Sequence, residues 1–534
     1  MPNDCISYQD SGYFSNLIVD YLNEKTELQS LYNNFPKIED FKAQIEEKES
    51  NFNGNDNFNN KRKVLVNSLK NQYQNFEISE ATKQNIELLK DSKTFTITTG
   101  HQLNLFTGPL YFLYKIVSTI NLCKQLKQEY PSNNFVPIYW MATEDHDFQE
   151  INHFTFKGKK IQWNINSTGP VGRLTTEGLQ EVFNLFASEL NSSENGNFLK
   201  NLFTESYLKH KTLADATRHL ANTLFGEQGL VILDGDDISL KSEYKNIMKD
   251  ELLHQSSFKN VNESNEKLEN YSIQVNPREI NLFYIEDNLR ERIIFENEIY
   301  KINNTKIEFS EVEILKLLDS NPEKFSPNVI LRPLYQEVIL PNLCYIGGGG
   351  EIAYWLELKS NFDYHNVTFP MLLVRNSVLL ATQKQHDKAE KLDLSWKDLF
   401  LNQQELYNKK TKELSKFTID FSAQKAHLKL QFESLNQIAL QTDKSFIGAV
   451  EAQKVKQIKG LENLEKRLLK AEKRVHNEQL ERLFSLQNEL FPNQSLQERK
   501  ANFSEFYLEY GYSLIEKLLE NLKPLEQEFK VIIL

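Results

Sequence analysis

The sequence predicts an α/β protein with a parallel-sheet core and an α-helical coiled-coil arm. Two observations carry this reading. Residues 94–142 run through a β-branched stretch, a loop, an apolar stretch of helical length and a second apolar run. That is the order of a βαβ unit, which implies parallel strands. From Gln383 to Leu490 there is no proline and only two glycines, Gly448 and Gly460, while apolar residues step by three or four.

With 534 residues the chain exceeds one compact core, and about two to four domains are expected. Hydrophobic residues at 40% and charged residues at 25% are those of an ordinary globular protein, with 35 Phe and 22 Tyr to fill its cores. The formal net charge of -12 argues against a nucleic-acid partner, because phosphate backbones call for a basic surface. Residues 1–20 lack a basic start followed by an apolar core, so no signal peptide is expected. The apolar runs 230–233 and 370–374 are too short to span a bilayer, and no membrane partner is expected. Cys5, Cys123 and Cys344 are scattered and form no CxxC pair, which suits a reducing cytoplasm.

Taken in order, the polar N-terminal stretch to about residue 92 carries Phe14, Leu17, Ile18 and Leu22 at helical spacing, and its Asn-rich piece 51–60 reads as a loop. Residues 94–99 (TFTITT) suit a buried strand. Residues 110–126 suit a helix with Pro109 at its start, and 135–142 a second strand. Residues 230–233 read as a third strand, and 328–331 and 371–374 as two more. Segments 154–173 and 275–309 look like insertions with some antiparallel β-structure. In the arm, Ile458, Leu461, Leu464, Leu468, Ala471 and Val475 form a stripe, and Asp443 and Ser445 can cap a second helix of a helical hairpin. The expected organisation is a core over 1–382, an arm over 383–491, and a segment 492–534 that packs back on the core.

Three constellations carry chemistry. After the first strand come Gly100-His101-Gln102 and Thr107-Gly108-Pro109. Glycine lets backbone approach a ligand, N–H groups at the next helix start attract an anion, and His101 and Gln102 can donate to phosphate oxygens. Equally, these residues can simply shape a turn. Neither GxxxxGKS nor GxGxxG is present. After the second strand come Glu144-Asp145-His146-Asp147, with His153 beyond. Ligands of α/β sheets bind outside the carboxyl ends of strands, and this set could bind a metal, orient an amine, or act as acid and base. The alternative is a solvated charged loop, against which the apolar run before it argues. The third is Gly347-Gly348-Gly349-Gly350-Glu351, either an unhindered backbone against substrate with Glu351 on an amine, or a hinge. Tyr354 and Trp355 read as core packing. Asp234, Asp236, Asp237, Arg332 and Arg375 read as surface or salt-bridged residues.

The stretches GHQLNLFTGPLYFLYK, VPIYWMATEDHDFQEINHF and FSPNVILRPLYQEVILPNLCYIGGGGEIAYW, with the terminal LQERKANFSEFYLEYG, resemble the BshC family over most of the chain. The resemblance implies a Rossmann-like core similar to class I aminoacyl-tRNA synthetases, with connecting-peptide insertions and a coiled-coil domain associated with homodimers. It implies a cytoplasmic cysteine ligase, which joins L-cysteine to the amine of glucosaminyl-malate in the last step of bacillithiol synthesis. ATP or ADP with Mg2+ is the implied nucleotide. By the synthetase analogy, Gly100, Gln102, Thr107 and Gly108 would hold the nucleotide. His101, Asp145, His146 and Asp147 would serve catalysis. Glu144, His153, Gly348, Gly349, Gly350 and Glu351 would bound the substrates. No cysteine cluster points to zinc, no metal site is expected, and Lys384 and Lys388 match a second synthetase signature poorly. Two rival readings are a metal-dependent hydrolase built on residues 144–147 with His153, and a non-catalytic coiled-coil scaffold.

Overall fold

The computed structural model describes residues 5–53 and 58–534. The chain forms two units, one from residues up to 379 together with 497–532, the other from 380–496. At the centre of the first unit lies a five-stranded sheet. Its strands are β1 (Thr94–His101), β2 (Asn134–Met141), β3 (Val231–Asp234), β4 (Asn342–Gly347) and β5 (Met371–Val374), in the order β5-β4-β1-β2-β3. Every neighbouring pair is parallel. This is a Rossmann-like order, and it reverses between β1 and β4, the position where open α/β sheets take ligands.

The strands form because both faces are covered. Every residue of β1 is buried, as its β-branched, almost uncharged sequence allows. Helix α1 (Tyr111–Glu129) links β1 to β2. Its Leu122, Cys123 and Leu126 pack with Phe95 and Ile97 of β1, Leu343 and Ile346 of β4, and Met371 of β5. The threonines of β1 are satisfied inside this core: Thr98 Oγ1 donates to Asn342 Oδ1 at 2.8 Å.

Two expectations are corrected. Residues 328–331 form no strand. The strand is Phe325–Pro327, which pairs antiparallel with Leu282–Glu286 outside the parallel sheet. Asn328 Oδ1 accepts the N–H groups of Ile330 and Leu331, and this turn leads into the helix Arg332–Ile339 with Pro333 in its first turn. The place in the parallel sheet belongs instead to β4, which the sequence reading does not pick out. The Asn-rich piece is not simply a loop either: helices Phe41–Asn53 and Phe58–Gln72 approach it from both sides, and residues 54–57 lie outside the described residues.

The insertions are antiparallel. His153–Phe156 pairs with Lys159–Gln162, and a five-stranded antiparallel sheet is built mainly from residues 282–309, with Phe325–Pro327 at one edge. The C-terminal segment is tied to the core by the buried Arg375–Glu498 ion pair at 2.7 Å. In the second unit, α2 (Ser422–Ala439) and α3 (Lys444–Val475) form the helical hairpin, and Asp443 caps α3 by accepting the Ser445 N–H. The expected stripe is only partly covered. With 18 residues against 32, α2 cannot shield the whole of α3, and Leu464 and Val475 remain exposed.

Candidate active site

A cavity of about 500 Å3 lies at the carboxyl ends of the central strands. Of the residues singled out in the sequence, Gly100, His101, Gln102, Glu144, Asp145 and Glu351 line it, and so does Tyr354, which is therefore not simply core packing. Its other wall comes from the insertion: Phe283, Arg290 and Arg292 from the antiparallel strands and Arg278 from the segment before them, with Arg332 from the following helix. Carboxylates therefore face arginines across one pocket.

Helix α4 (Gly349–Leu356) brings Glu351 to the cavity. Its carboxylate accepts the Gly348 N–H at 2.7 Å, the Tyr345 hydroxyl at 3.2 Å and the Lys115 ammonium at 2.8 Å. Lys115 is buried in α1 and also donates to the Gly100 carbonyl at 2.7 Å. One lysine thus joins the end of β1 to the start of α4. Burial alone would raise the Glu351 pKa, but the Lys115 charge and the hydrogen bonds outweigh it and hold the group ionised. The four glycines make the turn from β4 into α4 and do not line the cavity. Gly348 sits at an ordinary φ of -71°. Glycine is needed at 347 for space, since a Cβ there would lie 2.9 Å from the Tyr345 ring.

His101 closes β1. Burial, then the Lys115 charge, push its pKa well below the ordinary value, so the imidazole is neutral. The ring hydrogen-bonds the Thr107 backbone and Nε2 has no partner. The proton therefore sits on Nδ1, and Nε2 is an acceptor rather than a donor to phosphate. The loop that holds it is strained: Phe106, Thr107 and Gly108 have φ of 48°, 69° and 63°. It persists because the surroundings over-determine it. The Tyr207 hydroxyl accepts the Phe106 N–H at 2.8 Å, and Asn502 Nδ2 donates to the carbonyls of Phe106 at 2.8 Å and Gly108 at 2.6 Å. The Leu110 N–H at the start of α1 donates to Ala501 O at 2.9 Å. Thr107 and Gly108 therefore lie outside the cavity with their main chain engaged by protein, and their part is to hold His101.

The loop after β2 divides. Asp145 accepts the His146 N–H at 2.8 Å and Gln102 Nε2 at 2.9 Å. Burial would raise its pKa, yet these bonds and the Arg290 charge hold it well below the usual carboxylate range. Glu144 faces Lys241 at 2.5 Å, and burial still pushes its pKa up. Lys241 also reaches Asp236 at 3.3 Å, which Arg173 clamps at 2.7 and 2.9 Å. Behind them, burial and the Asp236 charge lift Asp234 to about 6. His146 flanks the cavity: Arg290 Nη1 lies 2.7 Å from its Nδ1, which must be the acceptor, and the Arg290 guanidinium stacks 4.0 Å from the Phe283 ring. Asp147 is exposed at the start of the four-residue helix Phe148–Ile151. His153 opens the small hairpin beside Asn152. Neither lines the cavity. Among the described residues, no three His, Cys, Asp or Glu side chains converge to hold a metal ion.

Residues 1–376 match the N-terminal Rossmann-like domain of bacillithiol biosynthesis BshC, and residues 378–534 match its C-terminal coiled-coil domain. The chain belongs to the BshC family. A relative from Flavobacterium psychrophilum is 68% identical over 532 residues, covering 100% of this chain and 99% of its own. One from Flavobacterium johnsoniae is 66% identical with both chains covered in full, and one from Cytophaga hutchinsonii is 40% identical over 97% of this chain and 96% of its own. Each bears the name "Putative cysteine ligase BshC".

Within this BshC-family site, sequence reasoning missed Lys115, Lys241, Arg278, Arg290 and Arg292, and set Arg332 aside. Two signals were present. Lys115 is a lone cation in an apolar helical run, and Arg290 and Arg292 alternate on a strand, so they share one face.

Proposed function

We propose that this chain joins L-cysteine to the amine of glucosaminyl-malate, forming bacillithiol in an ATP-dependent ligation. The observation that carries the reading is the cavity at the sheet's reversal point, where Glu144, Asp145 and Glu351 face Arg278, Arg290, Arg292 and Arg332. Both substrates carry amines and carboxylates, and such a pocket offers a counter-charge to each. Near-complete alignment with relatives bearing the cysteine ligase name supports it further.

Asp145, ionised and oriented by Gln102, holds the cysteine ammonium. The arginines of the insertion take the malate carboxylates and, with Arg332, the phosphates of ATP; Mg2+ would come bound to the nucleotide and would offset part of its phosphate charge. Cysteine's carboxylate attacks the α-phosphorus and expels pyrophosphate, and the sugar amine then displaces AMP from the acyl carbon. The attacking nitrogen becomes strongly acidic as it bonds to the acyl carbon, so a weak base suffices to take its proton, and His101 Nε2 is that base. The exposed apolar residues of α3 support homodimerisation through the arm. Light scattering of a variant lacking residues 383–490 gives a monomer mass on this reading, and an unchanged dimer mass refutes it.

The deciding experiment is mass spectrometry of purified protein with L-cysteine, glucosaminyl-malate, ATP and Mg2+. Bacillithiol with stoichiometric AMP is expected. ADP instead of AMP would replace the adenylate by an acyl phosphate. No product from folded protein overturns the reading, and stoichiometric metal in protein purified without chelator would then favour the hydrolase.

A further inference from the structure

Asn276 and Arg278 reach the cavity rim from a segment without regular secondary structure, residues 272–281. Such a segment has no ladder of its own to fix it. It is pinned at both ends by buried carboxylates. Glu357, which has no solvent exposure, accepts the Gln274 N–H at 2.7 Å and the Val275 N–H at 3.2 Å, one on each oxygen. At the other end Asn281 Oδ1 accepts the Arg278 N–H at 3.0 Å, and Asn281 N–H donates at 2.8 Å to the buried carboxylate of Glu251.

We infer that Glu357 is a positioning residue: through the Gln274 and Val275 N–H groups it sets where Asn276 and Arg278 stand at the cavity rim. It touches no substrate. Its two hydrogen bonds need both carboxylate oxygens as acceptors, which glutamine cannot supply, because one of its positions is an N–H2 donor. Burial pushes the Glu357 pKa up to about 7, opposed only by those two N–H groups and by no charged side chain among the described residues. The segment is therefore tightest once the carboxylate has lost its proton.

The test is hydrogen exchange read by mass spectrometry on the whole chain, for wild type, Glu357→Gln and Glu357→Ala. At pH about 8, exchange of the peptide covering residues 272–279 is expected to quicken about tenfold or more in both variants, with peptides of β1 and β4 unchanged. Two variants guard against one failing to fold. Corrected for intrinsic rates, wild-type protection should fall between about pH 8 and about pH 6, while Glu357→Gln should show no such change. Unaltered exchange in both variants overturns the inference. A second arm rests on the ligase reading: KM for glucosaminyl-malate is expected to rise about fivefold or more with kcat within about twofold. A fall in kcat at constant KM overturns the rim assignment. If the wild type does not ligate, the ligase reading fails while the exchange arm still decides.

Discussion

Replacing Lys115 by methionine isolates the contact that joins β1 to α4. Methionine keeps most of the apolar stem and removes the ammonium, which lies 2.8 Å from Glu351 Oε1, 2.6 Å from Oε2 and 2.7 Å from the Gly100 carbonyl. Removing one member of a buried ion pair costs about 3–5 kcal/mol, because the other charge stays behind. Here Glu351 keeps the Gly348 N–H and the Tyr345 hydroxyl, and its side chain is 30% exposed. That places this part near the lower bound, at about 3 kcal/mol. The Gly100 carbonyl loses its lysine donor, adding about 1 kcal/mol, for a total of about 4 kcal/mol. Urea unfolding followed by tryptophan fluorescence measures it. The Lys115→Met, Glu351→Gln double variant should cost less than the sum of the single variants by about 2 kcal/mol, since it no longer strands a charge. A cost below about 1 kcal/mol, or additivity within about 0.5 kcal/mol, refutes the reasoning.

Gly108→Ala places a Cβ 2.6 Å from Asn104 Cβ on a backbone with φ +63°; a loss of about 3 kcal/mol in thermal unfolding and at least a tenfold fall in ligation, through displaced His101, are expected. On the proposed ligase reading, Arg290→Ala should raise KM for glucosaminyl-malate about tenfold or more with little change in kcat, whereas equal loss in both would move Arg290 into the chemical step. The Glu357 pKa is raised from 4.5 to about 7. Stability from this group is therefore fully present below pH about 4.5 and lost as pH climbs through about 7, a decline of about 3 kcal/mol. Glu357→Gln should flatten that decline in unfolding curves across this range, even as its rim segment loosens. A decline identical to wild type would contradict it.

The parts of this fold open to sequence reasoning are those whose signal is local. β1 and β2 announce themselves by β-branched and aromatic runs that end in glycine or charge, and α3 by its spacing. β4 escaped because Pro341 and Gly347 bracket only five residues, too short a run to stand out as a strand. The site divides in the same way. His101, Asp145 and Glu351 stand at strand or helix ends and could be named. Lys115 and Glu351 are 236 positions apart, and His146 and Arg290 are 144 apart, so their pairing is a product of topology that no window of sequence contains. Thr107 and Gly108 were legible as special but not as buried, because what engages their loop is Asn502.

That last contact orders events in time. Asn502 lies 396 residues beyond Phe106, whose carbonyl it holds. At about 5–20 residues per second, a ribosome needs roughly 20–80 s to travel between them. Until then the nascent chain carries β1 and its loop with Tyr207 available to the Phe106 N–H but without the Asn502 amide that holds the carbonyls of Phe106 and Gly108. The pocket is therefore among the last features to be completed during synthesis. Any chain truncated before residue 502 lacks the side chain that holds the carbonyls of Phe106 and Gly108, and with it part of what sets His101.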